Sequence, residues 1–203
     1  GHVKTLAAVA YSVGAGQASP TSLAVDAADD VIIGGLFTSS LNIGALMNSA
    51  GGNDGFVAKL DGTALAPVWN ALRIGGTGAD QVNGVSVTSY GDIVVTGSYA
   101  ASTAAFKTAN GGKDTNGIAQ LANAGGSDAF VLKLNGGTGA LDFASGYGDA
   151  ASQNGDRAAV NRYGANEISL AGTFGGTIVF PSPAGSINAA GGGDVYLVTA
   201  KLQ

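Results

Sequence analysis

One short pattern returns three times along the chain: a glycine pair, an aspartate and then an apolar strand. The copies cover residues 51–60, 125–134 and 192–202. Their aspartates are Asp54, Asp128 and Asp194. Self-similarity of this kind indicates a repeat architecture, in which each unit buries its apolar face against its neighbours. The third copy carries two extra residues, which predicts a bulge or a longer final strand.

Three more strand patterns precede each copy. The nearest pattern ends in a glycine, one variable residue and an aromatic residue, and its copies lie at residues 30–37, 92–99 and 167–174. Shorter patterns lie at residues 23–25, 85–87 and 158–160, and first strands are expected near Val9–Val13, Val68–Ile74 and Leu141–Tyr147. Gly35, Gly97 and Gly172 fall inside the nearest pattern, which indicates a bulge or a close approach of backbone.

Each unit therefore reads as four strands in about 60–75 residues, which is the content of one β-propeller blade. The predicted fold is all-β, with about three four-stranded antiparallel blades in one region spanning residues 1–203. The approximate blades are 6–67, 68–140 and 141–203. Asp61-Gly62 and Asn135-Gly136 follow the last strand of two units, and such pairs are the strongest signal for a two-residue hairpin turn.

The middle copy carries a resemblance to a known family. Trp69, the run from Gly75 to Asp80, the strand 91–97 and the segment 126–134 together resemble the bacterial β-propeller repeat family of the SBBP type. The likeness covers nearly the whole chain and is weakest at its start, where the tryptophan and the double glycine are missing. The resemblance implies a β-propeller from an exported bacterial protein, usually with many repeats and without assigned activity.

Three blades leave the ring incomplete, because closed propellers usually have four to eight. Isolated blades at the two ends would expose apolar faces and unpaired strand edges. The expected partners are therefore further blades of a longer parent chain, or a second copy that completes a six-bladed ring. A surface protein or a glycan is the further partner class considered.

Composition excludes several function classes. The net charge is −5 and only 11% of residues are charged, so the clustered cations that bind nucleic acid are missing. No apolar stretch approaches the roughly 20 residues of a membrane span. Cysteine is absent and His2 is the only histidine, which leaves no nucleophile with an adjacent base. We expect no enzyme, no metal site and no cofactor.

The repeated aspartates admit two interpretations. A ring of carboxylates could bind Ca²⁺, but one carboxylate per blade cannot provide the six to eight oxygen ligands of that ion. We favour a structural turn at Asp54, Asp128 and Asp194, in which the carboxylate accepts backbone N–H groups. The acidic turn at Asp26, Asp29 and Asp30 is likewise expected to be solvated. Lys59, Lys133 and Lys201 are expected on outer strands, where a lysine opposes unwanted strand addition.

Candidate ligand-binding residues lie on turns and on one long connection. Tyr90 and Tyr163 occupy matching turns and could stack on sugars or shield the hairpin. The connection from about residue 100 to 124 contains Lys113 and Asp114, and it exceeds its counterparts in length. The primary hypothesis is a non-catalytic structural or protein-interaction module, secreted or on the bacterial cell surface. The alternative is a carbohydrate-binding or small-ligand-binding propeller that uses these rim loops.

Overall fold

The computed structural model describes residues 7–11, 13–100, 103–108, 120–161, 167–181 and 183–201. These segments form strands and turns, and every strand pairs antiparallel with its neighbours. None of them forms a helix, so within these ranges no helix could cross a membrane. The all-β prediction is confirmed.

The first sheet is built from four strands in chain order and is then extended. Its strands are β1 (Ala18–Val25), β2 (Val31–Phe37), β5 (Asp54–Leu60) and β6 (Leu72–Gly75). The extension is the hairpin of β9 (Thr103–Thr108) and β10 (Gln120–Ala122), because β9 pairs with β6. A small hairpin of β3 (Ser40–Ile43) and β4 (Ala45–Asn48) lies between β2 and β5 in sequence.

The second and third sheets repeat this plan. The second contains β7 (Asp80–Val87), β8 (Ile93–Tyr99), β11 (Asp128–Leu134) and β12 (Leu141–Tyr147). The third contains β13 (Gln153–Val160), β14 (Glu167–Phe174) and β17 (Asp194–Lys201). Its small hairpin is β15 (Thr177–Phe180) with β16 (Gly185–Asn188).

Hydrogen bonding groups the strands differently from the predicted repeat units. The strands near residues 68–74 and 141–147 were expected to open the second and third units. Instead, β6 pairs with β5, the last strand of the preceding unit, and β12 pairs with β11 in the same way. Each complete sheet therefore takes its fourth strand from the next stretch of sequence.

The sheets pack face to face in chain order. One buried cluster joins the first sheet to the second, and it includes Ile32, Val57, Val85 and Leu132. A second cluster joins the second sheet to the third through residues such as Val131 and Tyr196. A third cluster covers the other face of the first sheet with the β3–β4 hairpin and with Tyr11 and Val13.

An aromatic pair and a glycine recur at one place in each sheet. The ring centroids of Phe37 and Phe56, of Tyr99 and Phe130, and of Phe174 and Tyr196 lie 6.4, 6.4 and 6.2 Å apart. The second ring of each pair covers a glycine, since a methyl group built on Gly97 would lie 2.7 Å from Phe130 Cζ. The same methyl group would lie 2.0 Å from the backbone carbonyl oxygen of Gln81, so the backbone approaches Gly97 closely, which is one of the two predicted alternatives.

The turns at Asp61 and Asn135 differ from the prediction of two-residue turns. The N–H of Asp61 bonds to the carbonyl of Ala66, and that of Asn135 bonds to the carbonyl of Ala140. Each turn therefore spans six residues. The side chain of Asp61 accepts hydrogen bonds from the N–H groups of Thr63 and Ala64 at 2.9 and 2.7 Å, so it caps a longer loop.

The long connection at 100–124 is also more structured than a loop. Strands β9 and β10 lie within it, and β9 joins the first sheet at β6. It is thus the counterpart of the β3–β4 and β15–β16 hairpins. Lys113 and Asp114 lie outside the described residues, as does Tyr163.

Candidate interaction surface

The first strands of neighbouring sheets are linked by a repeated polar contact. These first strands, β1, β7 and β13, each lie at one edge of their sheet, and each has a bulge at the same place, occupied by Thr21, Asn83 and Asp156. Thr21 Oγ1 donates to the carbonyl of Val82 at 2.5 Å, and Asn83 Nδ2 donates to the carbonyl of Gly155 at 3.2 Å. The bulge residue of one sheet therefore binds the bulged strand of the next.

Sequence reasoning missed this contact because the three bulge residues share no chemical type. A bulge places an extra residue on one strand, so its side chain leaves the regular alternation. The only available signal is the position of each bulge residue, two places before the apolar pattern of its strand. That spacing is too common to indicate a contact by itself.

The repeated aspartates hold the turn before the last strand of each sheet. The carboxylates of Asp54, Asp128 and Asp194 accept hydrogen bonds from N–H groups four residues earlier, at 2.7, 2.8 and 2.5 Å. Asp54 and Asp128 are buried, whereas Asp194 is half-buried. Within the described ranges, no group of three or more metal-ligating side chains is arranged around a common point.

Asp54 belongs to a buried charge cluster between the first and second sheets. Arg73 Nη1 lies 2.7 Å from Asp54 Oδ2. A methyl group built on Gly75 would lie 2.5 Å from Asp54 Oδ1 and 2.7 Å from Asp80 Oδ2, so both carboxylates face this glycine. Burial raises the pKa of Asp54, and the bonds from Arg73 and Ala50 offset only part of that effect. Arg73 therefore pairs with Asp54, while Asp80 is held by the N–H groups of Gly76 and Ala100 at 2.6 and 2.9 Å.

The next junction uses the same positions with fewer charges. Gln153 begins β13 as Asp80 begins β7, and it is also fully buried. Gly146 pairs with Phe130 as Arg73 pairs with Phe56, so the arginine has no counterpart here. Burial raises the pKa of Asp128, and the nearby carboxylate of Asp149 raises it further. Asp149 accepts a hydrogen bond from Gln153 Nε2 at 2.6 Å, so this junction keeps a second carboxylate but lacks the arginine.

The lysine prediction is wrong in two respects. Lys59 and Lys133 lie on β5 and β11, which have neighbours on both sides. Lys59 opposes Ile32 and Lys133 opposes Val94, and the residue at this register in the third sheet is Thr199 opposite Ser169, not Lys201. The register of β17 is continuous, so its extra length is a longer strand and not a bulge.

These two lysines form ion pairs with the turns beside them. Lys59 Nζ lies 2.7 Å from Asp26 Oδ2 and 3.2 Å from Asp30 Oδ2. Lys133 Nζ lies 2.9 Å from Asp92 Oδ2. Burial alone would raise the pKa of Asp26, but its bonds to Lys59 and to backbone N–H groups outweigh this and lower it. The acidic turn predicted to be solvated is thus closed by Lys59, because its Asp26 side chain is 7% exposed.

Tyr90 lies at the tip of the β7–β8 hairpin and is 68% exposed. Its N–H bonds to Thr88 Oγ1 at 3.3 Å, and Gly91 has a φ of 86°, a value that favours glycine. The hairpin therefore holds its backbone firmly while the ring projects outward.

The outer face of the third sheet is the largest departure from the repeat. Val57 and Val131 occupy one register in the first and second sheets and are 0% and 3% exposed. Leu197 occupies that register in β17 and is 74% exposed, and Val195 is 76% exposed. The apolar side chain at this register is therefore covered by a neighbouring sheet in the first and second sheets, and it is exposed in the third.

A groove adjoins this surface between the second and third sheets. It has a volume of about 880 Å³. Aromatic and aliphatic side chains line it, among them Phe143, Tyr147 and Phe180, and it runs along residues 197–201 of β17. An apolar groove of this kind suits a hydrophobic segment better than a charged ligand.

Comparison with known proteins gives no identification. No family model matches the sequence, and no curated protein is significantly similar to it. The geometry of the chain itself therefore carries the functional argument.

Proposed function

We propose that this chain is a non-catalytic structural or protein-interaction module, built of β-propeller blades and exported to the bacterial surface or medium. In this proposal the three sheets are blades, and their function is to assemble with further blades. The SBBP-type likeness of Trp69 and of the segments 75–80, 91–97 and 126–134 supports both the blades and the exported location.

The observation that carries the proposal is the repeated inter-sheet face. Val57 and Val131 are buried by the sheet that follows, and Leu197 is exposed at the same register. Exposed apolar patches on soluble proteins mark sites of interaction. The bulge contacts from Thr21 and Asn83 support blades arranged around an axis, because they join the first strand of one sheet to the first strand of the next.

The arrangement of the sheets can be tested by electron microscopy of the chain, alone and in any assembly that it forms. Sheets radiating from a common axis would support the blade proposal. Strands arranged as one continuous sandwich, or coiled as a solenoid, would contradict it.

Carbohydrate binding is the second candidate, and the exposure of Tyr90 favours it. An exposed aromatic ring on a rigid hairpin can stack against the apolar face of a sugar. A glycan array separates the two functions. Binding to one glycan class that is lost in Tyr90→Ala, and retained in Val179→Ala on β15, would support the lectin. If the array shows no binding to any glycan, the protein-interaction module remains as the proposed function.

A further inference from the structure

We infer that the open side of the third sheet binds a second copy of this chain, and that the segment containing Tyr11 and Val13 of that copy supplies its fourth strand. The inference deepens the proposed function and rests on it, since it names the partner and the surface. It is argued from the two complete sheets, which show what covers this side when a neighbour is present.

The outer edge of β17 is the first half of the surface. In the first sheet the outer edge of β5 pairs with β6, and in the second the edge of β11 pairs with β12. Among the described residues, β17 pairs with β14 alone. An edge strand with apolar side chains is a template for a further strand. The site therefore lacks the one element that the other two sheets contain.

A segment near the first described residues matches the fourth strands in its sequence and forms an isolated bridge in this chain. Val13 precedes Gly14 as Ile74 precedes Gly75 and as Tyr147 precedes Gly148. Ile74 pairs with Gly55, and Tyr147 pairs with Ala129. The same register would place Val13 of one copy opposite Val195 of the other, and Tyr11 opposite Leu197.

Val13 already pairs with the small hairpin of its own unit, as the fourth strand β6 pairs with the small hairpin that follows it. Val13 forms an antiparallel bridge with Leu41 of the β3–β4 hairpin, and Tyr11 Oη donates to the carbonyl of Leu65. Strand β6 is held in the same way, because Ile74 pairs with Phe106 of the following hairpin. The segment thus has one edge fixed by its own unit. Its other edge faces the place where a preceding sheet would lie.

The second half of the surface is the face of β1. Val85 in β7 is 6% exposed because it belongs to the buried cluster that also contains Val57. Leu23 matches Val85, since it pairs with Ile33 as Val85 pairs with Val95, yet Leu23 is 62% exposed. A junction between two copies would bring Leu197 of one against the β1 face of the other, as Val57 meets β7.

The two halves lie on different parts of one chain, so the contact is head-to-tail. Such an interface makes a ring if the rotation closes and an open filament if it does not. Two copies would hold six sheets, which lies within the range of four to eight blades in closed propellers. An added strand on β17 would also border the apolar groove that runs along residues 197–201.

The experiment uses two variants that each block one half. Leu197→Asp puts a charge on the β17 face, and Leu23→Asp puts one on the β1 face. Leu46→Asp is the matched control, because Leu46 is also exposed, at 56%, but lies on β4, outside both halves of the proposed surface. The strand that corresponds to β4 in the next unit is β10, and β10 forms no strand pairing with the second sheet. All three positions are exposed, so circular dichroism should show the fold retained. Mass is measured by sedimentation and light scattering from about 5 to 200 µM, a range suited to micromolar association.

The wild type and Leu46→Asp should exceed the monomer mass of 19.6 kDa. Leu197→Asp and Leu23→Asp should each weaken association at least tenfold. Mixing these two variants in equal amounts should give a dimer, because each retains the half that the other has lost. Hydrogen exchange in residues 194–201 should slow in that mixture.

A monomeric wild type would overturn the inference, and so would unchanged association in both blocking variants. A mixture that stays monomeric would exclude the head-to-tail contact. These outcomes are separate from failure of the proposed function. A monomer whose sheets radiate from an axis would overturn the second-copy contact only, whereas a sandwich or a solenoid would overturn the blade proposal.

Discussion

The two inter-sheet junctions solve the same packing problem with different charges. Between the first and second sheets, Arg73 pairs with Asp54, and Asp80 is a second buried carboxylate beside them. Between the second and third sheets, Gly146 replaces the arginine and Gln153 replaces Asp80, but Asp149 bonds to Gln153 at 2.6 Å and lies near Asp128. The repeat therefore retains a carboxylate at Asp54 and Asp128, but it does not retain the cation that accompanies the first one.

The junctions also differ in how well they are filled. Trp69 lies between the first and second sheets, and its Nε1 donates to the carbonyl of Gly136 at 3.3 Å. Asp142 occupies the corresponding position of the next unit, six residues before Gly148, and the second junction contains the groove of about 880 Å³. Asp142 instead lies 3.5 Å from Lys133 Nζ, so the two units use this position for different contacts.

The largest expected effect is the removal of Arg73. Arg73→Met should destabilise the protein by about 3–5 kcal/mol, because breaking a buried ion pair leaves an uncompensated charge. Adding Asp80→Asn should recover much of that loss, since it removes the second carboxylate, whose charge raises the pKa of Asp54. Urea unfolding of both single variants and the double variant measures the coupling. Additive losses would show that Arg73 and Asp80 are not coupled through Asp54.

The pH dependence of Arg73→Met sharpens the same comparison. The folded pKa of Asp54 is already raised above the unfolded value of 3.8, so the folded state binds the proton more tightly. Protonation therefore stabilises the folded protein as the pH falls toward 3.8. Without Arg73 this gain should grow, and the variant should approach the wild type in stability as the pH falls toward the unfolded value of 3.8. A deficit that stays constant with pH would contradict the ionic explanation.

The next effect compares covered and open faces. Val57→Ala and Val131→Ala each remove two buried methylene equivalents and should cost about 1.5–3 kcal/mol. Leu197→Ala should change the stability of the monomer by less than about 0.5 kcal/mol, because its side chain is exposed. Thermal unfolding at low concentration measures this. A large loss at Leu197 would mean that the β17 face is covered within one chain.

Much of the strand pattern could be predicted from the sequence, but its pairing could not. The apolar runs at Val31–Phe37 and Ile93–Tyr99 are strongly β-forming, and they lie in strands as expected. The partner of Leu72–Gly75 was misassigned because a short apolar strand does not specify which edge it joins. Lys59 was expected at an edge because its strand is the last of its predicted unit, and the strand that covers it comes from the next stretch of sequence. Its ion pairs with Asp26 and Asp30 were missed because that turn lies about thirty residues away in sequence.

The acidic turn of the first sheet gives a smaller, pH-dependent effect. Its bonds to Lys59 and to backbone N–H groups lower the pKa of Asp26 below the unfolded value of 3.8. Their contribution is therefore complete above the unfolded pKa and is lost as the pH falls through the folded pKa. Asp26→Asn should be less stable than the wild type at neutral pH, and the difference should shrink below about pH 4. Chemical unfolding between pH 2.5 and 7 measures it, and a constant difference would assign the loss to packing.

The smallest effect is expected at Tyr90, where stability and binding should separate. Tyr90→Ala should change the free energy of unfolding by less than about 0.5 kcal/mol, because the ring is 68% exposed and its hairpin is held by Thr88 and Gly91. The matched control is Gly91→Ala, which strains a φ of 86° and should cost about 1 kcal/mol. If Tyr90→Ala proved the more damaging of the two in thermal unfolding, the ring would be shielding the hairpin, and its exposure would no longer favour a sugar site.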